Sequence, residues 1–384
     1  MSARIGAVVL AAGVVASMAL GQFIPFLPAV GEEFALPLTA VGWLSSLITL
    51  VAGLTCLPLG IWLEARRLRG IFLAALLLLA AAGFWAAGLG AAFTDGVAAL
   101  FTVRVIQAGG YALVVIIGPS LLARLLTGRA RQSALALWGL CIPAGLTLAT
   151  AGAALVGTAG WRGQAAGIGV ITLMVAALAV TLPPDACPGR RERAAGVSRA
   201  GAGAGWAVAA VAAGFALIAL IGVSVVTILP AYLAATAGLS GTRSSLLTAV
   251  VSAASVLGSL AAGAALRGGA QPARLVAAAV LMAPLSAGIF TPMPVAIVAV
   301  CAAAVLVLNG LAVSALFAVL PAVAGDRVAV AVAALTQAGS LGTLFGPPLY
   351  AEAVETMGWG AAIAVTAAIA GTGVGCALAA LRGR

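Results

Sequence analysis

The chain has 384 residues, of which 64% are hydrophobic and 7% are charged, with a formal net charge of +10. Soluble domains carry about 25% charged residues, so this composition excludes a soluble protein and predicts an integral membrane protein. All 19 basic residues are arginines scattered between apolar runs, which excludes a nucleic-acid-binding protein.

Apolar segments follow one another along the whole chain, most of them about 20 residues long or longer. The predicted membrane spans are 6–30, 38–63, 71–94, 97–123, 132–158, 164–183, 206–234, 244–266, 275–291, 294–323, 328–350 and 359–381. The first could pass for a signal peptide behind Arg4, but its apolar run continues to Val30, so we interpret it as an uncleaved helix. The predicted fold is an all-α membrane protein with twelve transmembrane helices.

The placement of charge predicts the orientation. If the N-terminus is cytoplasmic, 16 of the 19 arginines lie inside, two lie outside, and Arg104 lies within a span. Arginine-rich loops stay on the cytoplasmic side, so we expect both termini to be cytoplasmic. The membrane we expect is the bacterial inner membrane.

The chain divides at one polar segment. Residues 184–205 are rich in Pro, Gly and Arg and read as a cytoplasmic linker between two six-helix bundles, 1–183 and 206–384. The bundles align at an offset of about 200 residues, with Gln107 opposite Asn309. Both bundles start from the cytoplasm, which predicts a parallel duplication.

Two local motifs stand out. The loop after the second segment reads GIWLEARRLRG, with Gly60, Glu64, Arg67 and Arg69 in the order glycine, acid, bases. The fourth segment contains LFTVRVIQAGGYA, in which Arg104 is followed by a glutamine and closely spaced glycines.

With these motifs the chain resembles a major facilitator superfamily transporter over nearly its whole length. The loop motif resembles the family's conformational signature, although Glu64 replaces the usual aspartate. The resemblance implies helix bends at Pro143 and at Gly346 and Pro347, with Ile142 where the antiporter motif has a glycine. Within this family, the sequence most resembles a cyanate permease-like group.

Arg104 is the charge that needs an explanation. Helical spacing places Gln107 and Tyr111 on its face. Placing an arginine at the lipid-facing centre of a helix costs about 2.5–3.5 kcal/mol even on the translocon-insertion scale, which gives low values. We therefore expect Arg104 to face the protein interior. It either clamps helices by donating to backbone carbonyls or belongs to a substrate site. Because intramembrane charges are usually functional, we favour the substrate site.

No acidic residue lies well inside any predicted span, so Arg104 has no evident counter-ion. A translocated small organic or inorganic anion would supply the missing charge, since an unpaired buried cation is costly. The resemblance implies a competing role in proton movement, which would need a carboxylate such as Asp95. Gln22 and Asn309 complete the predicted substrate-binding residues, whereas serine and threonine stripes on the eighth and eleventh segments are interpreted as helix packing.

Several alternatives stay open. The chain is a secondary or facilitative transporter of a small anion, an efflux pump for neutral or anionic drug-like compounds, or a non-transporting sensor of the same fold. We expect no enzyme activity, cofactor or metal, because the spans offer no paired carboxylates and the sequence has no histidine. The expected partners are a small solute, the lipid bilayer and a coupling proton or counter-anion, and we expect a monomer.

Overall fold

The computed structural model describes residues 2–64, 66–88, 96–127, 130, 134–135, 137–156, 160–185, 202–324 and 328–382. All regular elements within these ranges are helical. A helix satisfies its own backbone polar groups, which an apolar surrounding cannot do.

Twelve helical segments, named α1 to α12, make up the described fold. Three of them contain a 3₁₀ turn between two α-helical pieces. These are α1 (Ser2–Gly21, Ile24–Phe26 and Leu27–Glu33), α2 (Leu38–Ser46, Leu47–Thr49 and Leu50–Glu64) and α9 (Pro272–Ala277, Ala278–Leu281 and Met282–Phe290). The others are α3 (Leu68–Ala86), α4 (Val97–Leu125), α5 (Cys141–Val156), α6 (Gly160–Ala179), α7 (Ala202–Ala237), α8 (Gly241–Arg267), α10 (Val295–Ala324), α11 (Val328–Met357) and α12 (Gly360–Arg382).

The predicted fold class is confirmed. Within the described residues, 10 helices are long and apolar enough to cross a membrane by length and composition, and Cys141–Ala153 is a shorter apolar helix. The predicted third segment ran to residue 94, but α3 ends at Ala86, and residues 89–95 lie outside the described part of the chain.

The predicted segments 132–158 and 328–350 differ from the helices observed. Instead of one long helix in the first, the chain turns at Gly139 and Leu140, and α5 begins at Cys141. Pro143 therefore lies in the first turn of α5, where its missing N–H leaves no partner unsatisfied, so it does not bend a helix interior. In the second, α11 continues past both internal prolines to Met357.

Packing joins α1–α6 with one another and α7–α12 with one another. Contacts between the two groups run through α2 with α11 and α5 with α8, and the 3₁₀ turn Ile24–Phe26 contacts α7 and α8. The bundle boundaries at 183 and 206 stay predictions, since most of the proposed linker lies outside the described residues.

Glycines permit the closest helix approaches. A Cβ atom at Gly42 in α2 would lie 3.0 Å from backbone atoms of Pro348 in α11. A Cβ atom at Gly346 would lie 2.5 Å from Oγ of Ser224 in α7. Small residues at such crossings are the usual device for packing helices in lipid. Gly346 and Pro347 thus lie in a continuous helix, at a tight crossing.

Candidate functional site

Arg104 is fully buried, and its guanidinium joins α1, α2 and α4. Nε donates to the carbonyl of Leu44 at 2.7 Å. Nη1 donates to the Ala19 carbonyl at 2.8 Å and to Oε1 of Gln107 at 2.9 Å. Nη2 donates to the carbonyls of Leu20 at 3.2 Å and Ser45 at 2.9 Å. An arginine has five N–H donors, and each one has a partner here.

These contacts fit the clamp described for Arg104 in the sequence analysis. The aromatic ring of Phe23 covers the guanidinium, with Cζ 4.7 Å from the ring centroid. In this conformation no donor of Arg104 is free for a solute. The ion pairs in the described part of the chain join Arg124 to Asp185 and Arg162 to Glu33, so none neutralises Arg104.

Gln107 and Gln22 extend the arginine into a chain of amides. Oε1 of Gln107 accepts from Arg104, and Nε2 of Gln107 donates to Oε1 of Gln22 at 3.1 Å. Both glutamines are fully buried, and Nε2 of Gln22 has no hydrogen-bond partner among the described residues. Arg104, Gln107 and Gln22 are called the Arg104 cluster below.

The structure does not bring Tyr111 or Asn309 into this cluster. Tyr111 is buried in the hydrophobic core, and no hydrogen bond joins it to the cluster in the described residues. Asn309 in α10 donates through Nδ2 to the carbonyl of Ile218 in α7 at 2.6 Å. Their assignment to substrate binding stays a prediction without supporting geometry.

The threonine hydroxyls along the two stripes, those of Thr248, Thr336 and Thr343, bond within their own helix, whereas Ser259 donates to the Gly310 carbonyl in α10. Thr248 donates to the Ser244 carbonyl, and Thr336 donates to the Val332 carbonyl, one turn back in each case. Such bonds agree with the packing interpretation. Buried hydroxyls without a partner in the described residues are those of Thr227, Ser244 and Ser252.

A polar contact joins α2 and α11 at the predicted outer face. The backbone N–H and the hydroxyl of Thr39 both contact the carboxylate of Glu355, at 3.1 Å and 2.5 Å. The same hydroxyl lies 3.0 Å from Oε2 of Glu352. Thr39 lies at the start of α2, so Glu355 from the other helix group caps an N–H that has no partner within its own helix. These three residues are called the outer seam.

Contacts between α2 and α11 continue below the outer seam. The rings of Trp43 and Phe345 meet edge to face, 5.9 Å apart. Further along, the N–H of Leu57 donates to Oε1 of Gln337 at 2.9 Å. The two helices therefore stay in contact from the outer face to their inner third.

A cluster around Asp185, which the sequence did not predict, lies at the opposite end of the helices. Its carboxylate accepts from the N–H groups of Leu68 at 2.8 Å and Arg69 at 3.1 Å, and from Arg124 at 3.0 Å. Burial raises the pKa of Asp185, but these hydrogen bonds outweigh it and hold the pKa below its usual value. Asp185 thus caps α3 and joins it to α4. The signal available was a lone acid directly after Pro184.

The loop motif is only partly visible. Arg69 donates to the carbonyl of Val180 at 2.6 Å, whereas Arg67 is exposed. A Cβ atom at Gly60 would touch only Ile116, at 4.0 Å. The side chain of Glu64 and the whole of Asp95 lie outside the described residues, so the roles predicted for both are not tested.

Comparisons with known proteins identify the family of the chain. A family model described as Major Facilitator Superfamily matches residues 9–347. No curated protein matches the chain by sequence.

Solved structures share the fold at low sequence identity. A bacterial homolog of the human lysosomal transporter Spinster, in an inward-facing and occupied conformation, is 14% identical with a TM-score of 0.74, over 99% of this chain and 94% of that one. A D-xylose-proton symporter is 17% identical with a TM-score of 0.76, over 98% and 96%. The xylose transporter XylE from E. coli, partially occluded and inward open, is 17% identical with a TM-score of 0.75, over 99% of both chains.

Proposed function

The chain belongs to the Major Facilitator Superfamily, and from that membership we propose that it is a secondary or facilitative transporter of a small organic or inorganic anion. In this family two helix bundles rock against each other around a site near the midplane of the membrane. The matched family and the similar structures are transporters, which agrees with the expectation that the chain has no enzyme activity.

The observation that supports an anionic substrate is the uncompensated charge of Arg104. Its five partners are neutral carbonyl and amide oxygens, so they satisfy its donors but leave its positive charge in place. Charges inside membranes are expensive and mark solute pathways. An anion near this cluster is therefore favoured over a cation.

The outer seam supports alternating access. Movement of the two groups apart at this face must break the contacts of Thr39 with Glu355 and Glu352, which are exposed and weak. The seam therefore closes the outer face at little cost, and a solute could open it. As in the D-xylose-proton symporter, a proton is one proposed coupling ion, and a counter-anion is the other.

One observation favours the competing proposal of efflux of neutral or anionic compounds. Every donor of Arg104 is already bonded, so a strong direct grip on an anion is absent in this conformation. Efflux is therefore the alternative that the transport experiment must exclude.

We also propose that the chain is a monomer in a bacterial inner membrane, with both termini cytoplasmic.

Anion flux into proteoliposomes tests the proposal. We expect the purified chain to move at least one of nitrate, methanesulfonate and malonate down a concentration gradient, saturably and above empty vesicles. Methanesulfonamide, a neutral analogue of methanesulfonate, should move more slowly. Folded protein that moves none of these anions, or that moves the neutral analogue equally well, would contradict the proposal and favour efflux of neutral compounds.

A further inference from the structure

The chemistry of Arg104 fixes the orientation of two buried amides. Arginine only donates hydrogen bonds, so Gln107 must turn its Oε1 towards Nη1. Its Nε2 then faces Gln22 as a donor, and Gln22 must answer with Oε1. The N–H donors of Gln22 consequently point away from the arginine. One cation therefore sets the direction of both side chains.

Nε2 of Gln22 ends this chain without a partner. The residue is 0% exposed, and neither N–H finds an acceptor in the described part of the protein. A buried donor left unpaired destabilises the fold, because it has lost its hydrogen bonds to water without replacement. Hydrogen bonds in a row polarise one another, so an N–H at the end of a chain that begins at a cation is a strengthened donor. Such a group calls for an acceptor that the described residues do not provide.

Two hydroxyls from the other helix group lie at the same depth. Gln22 is about ten residues from the outer end of α1, Thr227 about ten from that of α7, and Ser252 about ten from that of α8, or roughly 15 Å at 1.5 Å per residue. That depth is the midplane of a core roughly 30 Å thick. The hydroxyls of Thr227 and Ser252 also have no partner in the described residues.

The elements that bear these three donors are in contact. The turn Ile24–Phe26, two residues beyond Gln22, contacts both α7 and α8. Ala231, one turn from Thr227, lines a surface pocket together with Leu27 and Pro28. The three unpartnered donors thus belong to the junction where α1 meets the second helix group.

We propose that the amide N–H of Gln22, not the guanidinium of Arg104, binds an acceptor oxygen of the transported anion, with the hydroxyls of Thr227 and Ser252 as further donors. Arg104 and Gln107 are positioning residues that orient this amide. The inference rests on the proposed anion transport and adds the contact residue and the ligand chemistry, an oxyanion such as a carboxylate, sulfonate or nitrate.

The arrangement also predicts how selective the site is. The ligand lies on the order of 10 Å from the guanidinium, two amides away, because each hydrogen bond spans about 3 Å. At that separation the arginine favours an anion over a matched neutral ligand by about ten-fold, far less than direct ion pairing would give.

Unliganded stability provides the first test. Gln22→Glu keeps the oxygen that Gln107 needs, removes the unpartnered N–H and adds a carboxylate that compensates the charge of Arg104, so its Tm should equal or exceed that of the parent. The matched control is Gln164→Glu, a buried glutamine whose Nε2 donates to the Ala149 carbonyl at 2.6 Å. This control should lower Tm, because the carboxylate of Gln164→Glu would lie against the Ala149 carbonyl oxygen, to which it can no longer donate. A comparable loss in Gln22→Glu would mean that its N–H has a structural partner, and would overturn the inference.

Ligand binding provides the second test, read as the rise of Tm with ligand concentration. Methanesulfonate should stabilise the parent, and its apparent affinity should fall at least ten-fold in Gln22→Glu but not in Gln164→Glu. Gln107→Met frees Gln22 to rotate. Methanesulfonamide both donates and accepts, so it tolerates a rotated amide, whereas methanesulfonate only accepts. The preference for the anion should therefore fall in Gln107→Met, and the charge of Arg104, which this variant keeps, should preserve only part of it.

The outcomes separate the two proposals. Equal binding of the anion by the parent and by Gln22→Glu overturns the contact at Gln22 and leaves anion transport standing. An unchanged preference in Gln107→Met overturns the positioning role. If nitrate, methanesulfonate and malonate neither stabilise the folded parent nor cross its proteoliposomes, anion transport fails and this inference fails with it.

Discussion

The two helix groups use polar residues differently at the depth of Gln22. On the first side, Arg104 joins three helices through four hydrogen bonds to α1 and α2, and a fifth bond to Gln107 uses its remaining donor. On the second side, α7 and α10 contain no charged residue. There the hydroxyls of Thr227 and Ser252 are left without partners in the described residues.

The difference distinguishes polar groups that hold helices in place from polar groups that remain able to bind a solute. A charge that is fully bonded inside a membrane holds its helices in one arrangement, because any other arrangement leaves costly groups unpaired. Hydroxyls without partners constrain no helix and remain able to bind a solute. We infer that the first group provides fixed, oriented donors and that the second provides adaptable ones.

Arg104→Ala should break the comparison most severely. Four interhelical hydrogen bonds at roughly 0.6 kcal/mol each, together with the cavity left behind, give a loss of about 3–5 kcal/mol in the free energy of unfolding. Arg104→Lys keeps the charge but has three donors, so it should lose about half as much. Equilibrium unfolding in mixed micelles measures both. A loss below about 1 kcal/mol for Arg104→Ala would contradict the clamp.

Asp185→Ala extends the comparison to a second fixed point of the first helix group. Its carboxylate is almost fully buried beside Arg124 and caps α3, so its removal should cost about 3 kcal/mol. The pKa of Asp185 is lowered in the folded chain, so its stabilisation is present above the unfolded pKa of about 3.9 and lost as pH falls through the folded pKa. The stability difference between parent and variant should therefore be constant from about pH 5 to pH 8. A difference that shrinks within that range would contradict this role.

Asn309→Leu should have a smaller effect, although Asn309 aligns with Gln107 in the repeat. Among the described residues it makes one interhelical hydrogen bond, to the Ile218 carbonyl, so the expected loss is about 1 kcal/mol or less. Equal losses in the free energy of unfolding for Asn309→Leu and Arg104→Ala would show that polar contacts stabilise each helix group to the same extent. That result would contradict the difference between the groups.

Thr227→Val should have the smallest effect on stability. The change keeps the shape and removes a hydroxyl without a partner, so Tm should stay the same or rise slightly. Affinity for methanesulfonate should fall several-fold, since one proposed donor is lost. The control is Ser224→Ala, whose hydroxyl bonds within its own helix to the Leu220 carbonyl, and which should leave affinity unchanged.

The sequence predicted the class of fold because hydropathy over about 20 residues is a strong signal. It also predicted that Arg104 faces the interior and shares a face with Gln107. It did not predict that carbonyls of α1 and α2 would use four of the five donors of Arg104, because backbone carbonyls leave no trace in the sequence. The turn before Cys141 was missed, since a proline in a long apolar run reads as a bend.

Long-range polar contacts were beyond reach for the same reason. Glu355 and Thr39 are 316 positions apart, and either residue alone looks like an ordinary exposed side chain. Asp185 resembled linker residues because its partners, the N–H groups at the start of α3, are invisible in composition. Gln22 was named as a candidate, but its orientation depends on a chain of donors that only the fold assembles.

Closure of the outer seam across a chemical bridge tests anion transport by alternating access most directly. Thr39→Cys and Glu355→Cys together place one thiol on each helix group, and a short bifunctional, reducible thiol reagent can join them. Thr39→Cys alone is the control, since it also reports on the native cysteines. We predict that anion flux through proteoliposomes of the double variant stops on cross-linking, returns on reduction and is unaffected in the control. Undiminished flux through the cross-linked protein, or no anion flux before cross-linking, would contradict the account.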